Sequence, residues 1–69
     1  MNKTEVEEYG TAAHVIVSYR EGNQLNEVKG IINEITEDMA LIEKDIHEYG
    51  TWDFVWIDLK DVEKINEVE

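Results

Sequence analysis

The chain has no cysteine, no proline, a single serine (Ser18) and only six basic residues. Without cysteine there is no disulfide to staple a small fold, no thiolate metal site and no thiol nucleophile. Ser18 stands in no nucleophile context, and no glycine-rich phosphate loop is present. No stretch approaches the roughly 18 consecutive apolar residues that a membrane-spanning helix requires. The segment Met1-Asn2-Lys3-Thr4-Glu5-Val6-Glu7-Glu8 is acidic where a signal peptide would be apolar, so the expectation is a cytoplasmic protein.

The scarcity of cations matters most. Seventeen acidic residues stand against six basic ones, for a net charge of -11. A surface of that sign is repelled by phosphate backbones and anionic lipid, so neither direct nucleic-acid binding nor membrane binding is expected. The acidity itself has two readings: a plain soluble surface, or imitation of nucleic acid by a phage inhibitor that occupies a host protein's DNA- or RNA-binding channel.

Sixty-nine residues make one domain. A chain of this size buries only about 60% of its unfolded surface, so its core is thin. Packing, closure of a barrel or self-association must then supply its stability. No internal repeat or low-complexity segment divides it.

Residues 1–10 form an N-terminal flexible or short helical segment, in which Thr4 and Glu7 match a capping box and Gly10 closes the turn. Residues 11–69 form the β domain. Ala12 to Arg20 alternates Ala13, Val15, Val17 and Tyr19 against His14, Ile16, Ser18 and Arg20, which predicts a strand. Glu21-Gly22-Asn23-Gln24 is a turn. In the second strand, Leu25 to Ile35, residues Val28, Gly30 and Ile32 share a face that Ile35 rejoins only across an extra residue. That slip, with Gly30, predicts a bulge or sharp bend. Thr36-Glu37-Asp38 connects to a third strand, Met39 to Ile46, and residues 47–51 form a loop. Trp52 to Ile57 is the fourth strand, Lys60-Asp61-Val62 a 3₁₀ turn, and Glu63 to Asn66 a short last strand. The fold expected is mostly β: a small five-stranded SH3-like or Sm-like barrel, with a short N-terminal helical segment and a 3₁₀ turn before the last strand.

Three stretches carry a family resemblance: Val15-Ile16-Val17-Ser18-Tyr19, Gly30-Ile31-Ile32-Asn33-Glu34-Ile35, and Trp56-Ile57-Asp58-Leu59-Lys60-Asp61-Val62-Glu63-Lys64-Ile65. Over residues 13–66 the chain resembles the YolD-like family of small proteins of Gram-positive bacteria and their phages. The resemblance implies an Sm-like barrel and an accessory role, some members being encoded beside Y-family DNA polymerases. It implies no catalytic or binding residue. The chain departs from the family in its strong acidity and its shorter N-terminal segment.

The chemistry-bearing residues are few. His14 and His47 lie on separate elements, and a metal site would need one of them joined to a carboxylate such as Asp45 or Glu48. No metal and no cofactor is assigned. The carboxylate pairs Glu7/Glu8, Glu37/Asp38 and Asp58/Asp61 fall at turns rather than in a cleft, so catalysis is not expected. The candidate partner-binding or oligomer interface is Trp52, Phe54 and Trp56, which share one face of the fourth strand while Asp53, Val55 and Ile57 share the other. If Val55 and Ile57 point inward, the aromatics form an exposed patch to be covered by the N-terminal segment through Tyr9 or Val6, by a second subunit or by a partner. If the aromatics point inward, they are core. Base stacking on such rings would need flanking Arg or Lys, and Asp53 and Asp58 stand there instead. The function expected is a non-enzymatic binding or accessory protein working through protein–protein contacts or self-association.

Overall fold

The β-rich runs all become strands. A computed structural model describes residues 1–45 and 53–68. It contains a helix α1 (Lys3–Glu7), strands β1 (His14–Glu21), β2 (Gln24–Ile35) and β3 (Met39–Lys44), strand β4 (Phe54–Asp58), a 3₁₀ turn (Leu59–Asp61) and strand β5 (Val62–Glu67). The five strands form one antiparallel sheet in the order β4-β3-β2-β1-β5. The fold is therefore the expected mostly-β domain with a short N-terminal helix and a 3₁₀ turn before the last strand. The expected loop at residues 47–51, the end of the third strand at Ile46, and Trp52 lie outside the described residues.

Alternation decides which side chains go inward. On β1, Val15 and Val17 are buried between the half-buried His14, Ile16 and Ser18. Gly22 and Asn23 make a two-residue hairpin between the paired Glu21 and Gln24, and Gly22 takes the positive φ (65°) that such turns demand. On β2, Val28, Gly30 and Ile32 face inward. A Cβ on Gly30 would overlap the Glu43 carbonyl oxygen of β3, and would lie 2.9 Å from both the Glu43 carbonyl carbon and Ile42 Cγ2. Only glycine lets β2 and β3 approach this closely.

The slip in phase has a separate location. The β2–β3 register shifts between Ile32 and Glu34, leaving Asn33 as the extra residue and returning Ile35 to the core side. Close approach at Gly30 and bulge at Asn33 are thus two devices, both on the central strand of the sheet. Together they let one long strand serve both ends of a curved sheet.

Among the described residues eleven buried hydrophobic side chains make the core: Val6, Val15, Val17, Val28, Ile32, Ala40, Ile42, Ile57, Leu59, Val62 and Ile65. All are aliphatic. No polar or charged residue is buried among the described residues. Tyr9, Tyr19 and Val55 pack against the cluster from its margin.

The helix start differs from the expected one. The capping box is Asn2 with Glu5, not Thr4 with Glu7: Glu5 N donates to Asn2 Oδ1 at 2.9 Å and Asn2 N donates to Glu5 Oε1 at 3.3 Å. Beginning at Asn2 leaves Gly10 at φ 82° to turn the chain away and buries Val6 at 1% exposure. The 3₁₀ turn likewise starts one residue early, at Leu59, because Asp58 caps it by accepting from Lys60 N. That position drops Leu59 into the core.

Candidate interaction face on β3 and β4

The orientation of β4 follows from its neighbours. Ile57 is 3% exposed and continues inward through Leu59, Val62 and Ile65, whereas Phe54 and Trp56 are 45% and 48% exposed. Val55 is half-buried on the inner side. The aromatic side chains of Phe54 and Trp56 therefore stand outward. Trp52, the third residue of the expected interface, lies outside the described residues.

Cross-strand pairing sets what surrounds them. Trp56 lies opposite Leu41, which lies opposite Glu34; Phe54 lies opposite Glu43, which lies opposite Ile31. The outer face of β2–β4 thus carries two rows, each mixing an aromatic, an aliphatic and a carboxylate. Leu41 and Ile31 are half-buried on this face, and an isolated reading of β4 does not include them. The apolar pair Leu41-Ile42 was the available signal, since two successive apolar residues on a strand must put one of them outward. Beyond Trp56, the sheet curls toward the β1–β2 hairpin, and Tyr19, Arg20, Met39 and Asp58 line a shallow depression of about 400 Å³ with it.

Charges frame the patch unevenly. Asp53 Oδ2 is 3.3 Å from Lys44 Nζ, and Asp58 Oδ2 is 3.7 Å from Lys60 Nζ. Among the described residues Glu43, opposite Phe54, and Glu34, across Leu41 from Trp56, enter no ion pair.

The backbone of β4 adds a second property. Lys44 N donates to the Asp53 carbonyl at 2.8 Å, and Leu59 N donates to the Asp38 carbonyl at 2.8 Å. These bonds bracket the β3–β4 ladder and fix its phase. Val55 and Ile57 exchange bonds with β3, while Phe54, Trp56 and Asp58 sit at the alternate positions where N–H and C=O point away. The residues that present the rings also present their backbone groups along the open edge of the sheet.

The opposite edge is treated differently. On β5, Ile65 and Glu67 occupy the corresponding outward-pointing positions, as the bond from Val68 N to the His14 carbonyl shows. There the Tyr9 hydroxyl donates to the Ile65 carbonyl (3.3 Å), and the Met1 amino group donates to the carbonyls of Leu59 (2.8 Å) and Val62 (3.3 Å). The N-terminal segment straps the β5 edge.

Of the residues weighed for metal binding, His14 and Asp45 do come together, with Nε2 2.6 Å from Oδ2. Among the described residues no group of three or more His, Asp or Glu side chains is placed to hold an ion. His47 and Glu48 lie outside them. The carboxylates are spread over α1, the β2–β3 turn, all five strands and the 3₁₀ turn, interleaved with Lys3, Arg20, Lys44 and Lys60 in ion pairs. No helix among the described residues is long and apolar enough to cross a membrane. No protein-family model, curated protein or solved structure matches the chain.

Proposed function

We propose that the protein is a non-enzymatic, cytoplasmic binding module that acts through protein–protein contacts made by the outer face of β3 and β4. The observation that carries this reading is the outward placement of Phe54 and Trp56 at nearly half exposure, in a domain whose core is complete without them. Exposing two large rings side by side costs solubility, and aromatic side chains in such patches are the usual anchors of protein interfaces. The resemblance to the YolD-like family supports an accessory role of this kind, in DNA repair or in phage biology. Imitation of nucleic acid draws less support, because Glu7, Glu37, Asp53, Asp58 and Glu63 are engaged with Lys or Arg of the chain itself.

The test compares the protein with its Phe54→Ser/Trp56→Ser variant in capture from bacterial lysate at low and high salt, with mass-spectrometric identification. A specific protein retained by the parent and lost by the variant supports the contact face. Identical captures by the two remove it. Sedimentation of both forms over a range of concentrations measures self-association through the same residues.

A further inference from the structure

We propose that the open edge of β4 takes up an extended, cationic segment of a partner protein as a sixth strand. This rests on the contact face described above and specifies how that face is used. Three observations lead to it. First, the ladder phase turns the backbone groups of Phe54, Trp56 and Asp58 toward the open edge, where an incoming strand completes their hydrogen bonds. Among the described residues nothing pairs with that edge. Second, the other edge is occupied by Tyr9 and Met1, so the two edges of the sheet are not mutually available. Third, the chain carries a net charge of -11, and Glu43, opposite Phe54, has no ion-pair partner among the described residues, whereas Asp53 and Asp58 at the two ends of β4 are paired with Lys44 and Lys60.

A second copy of this chain brings a net charge of -11 against the same sign. Like-charge repulsion opposes that approach. A strand carrying Arg or Lys at alternate positions has the complementary character. Its outward side chains fall directly beside Phe54 and Trp56, within reach of the ring faces. Apolar residues at the intervening positions continue the inner surface begun by the half-buried Val55. The occupant is therefore a polypeptide of alternating cationic and apolar residues, held by main-chain bonds and selected by charge.

The experiment uses the full chain, isotopically labelled, and a synthetic ten-residue peptide alternating valine with arginine and lysine. Binding is expected to slow amide exchange at Phe54, Trp56 and Asp58, and to weaken as salt is raised. A peptide methylated on the backbone nitrogens that face β4 keeps its side chains and charge, yet loses about tenfold in affinity for each bond removed. A peptide with glutamate in place of the cations should not bind. Equal affinity of the methylated peptide overturns strand addition while leaving the aromatic face as a contact surface. Binding undiminished by Phe54→Ser/Trp56→Ser overturns that surface itself. Slow exchange at these amides in the protein alone, accompanied by a dimer in sedimentation, makes a second copy the occupant and refutes the proposal. So does the absence of binding at about 1 mM peptide, where even a weak specific contact is measurable.

Discussion

Replacing Gly30 by alanine adds one methyl group at the point where β2 and β3 come closest. The new Cβ would overlap the Glu43 carbonyl oxygen and approach both the Glu43 carbonyl carbon and Ile42 Cγ2 to 2.9 Å. The Ile42 methyl can move by a change of rotamer. The Glu43 carbonyl cannot, because it belongs to the backbone of β3, held in register with Ile31 and Phe54 on either side. Relief therefore requires the two strands to separate. Overpacking of this kind costs about 1–3 kcal/mol or more, and each ladder bond stretched out of range adds about 1 kcal/mol. Reduced freedom of the unfolded chain returns about 0.4–1 kcal/mol. The net loss is about 3 kcal/mol, against a total of about 3–10 kcal/mol for a domain of this length.

At about 4–8 °C per kcal/mol for a small domain, Tm should fall by about 12–24 °C. Thermal and urea unfolding followed by far-ultraviolet circular dichroism measures it. Gly22→Ala is the control. Gly22 has nothing within 4 Å of the added Cβ and a φ of 65°, so it carries only the left-handed penalty of about 1–2 kcal/mol. If Gly30→Ala proves no more costly than Gly22→Ala, the close approach of β2 to β3 is refuted.

Other outcomes follow from the same structure. Val6→Ala should cost about 2 kcal/mol, as expected for a cavity at a 1%-exposed site. Asn2→Ala should cost about 1 kcal/mol by removing the cap of α1. Both are read from urea midpoints at constant slope. Phe54→Ser/Trp56→Ser should change stability by less than about 1 kcal/mol, since neither ring belongs to the core cluster. A large loss in urea unfolding would show that the rings are structural. Adding salt should raise stability by roughly 1 kcal/mol between about 10 mM and 0.5 M sodium chloride, because screening relieves self-repulsion at a net charge of -11. Calorimetry showing a fall instead would mean that the exposed ion pairs outweigh that repulsion.

What could be read in advance was whatever alternation determines alone. Val15 and Val17, and Val28, Gly30 and Ile32, fall on the inner face because the alternate positions carry His14, Ser18 and Arg20 in one strand and Glu27, Lys29 and Asn33 in the other, with Ile16 and Ile31 the apolar exceptions. Five strands and their order along the chain followed. Alternation could not orient Phe54 and Trp56, because Val55 and Ile57 are equally apolar. The decision came from beyond the strand, where Leu59, Val62 and Ile65 continue the inner face that Ile57 begins. The inner face of this small sheet fills with Val, Ile, Leu and Ala instead of the aromatic rings. The helix start was ambiguous because Asn2/Glu5 and Thr4/Glu7 have the same spacing. Burial of Val6, a tertiary effect, selects between them. The phase of the β4 backbone was not legible at all, since it depends on which carbonyls the ladder uses.

The strap over β5 has a consequence for assembly. A curved sheet with two bare edges is a monomer unit for head-to-tail growth, in which each copy offers an acceptor at one end and a donor at the other. With Tyr9 and Met1 lying on one edge, a copy that docked on β4 would present no second site, and growth would stop after a single addition. Residues 1–10 thus act as a chain terminator.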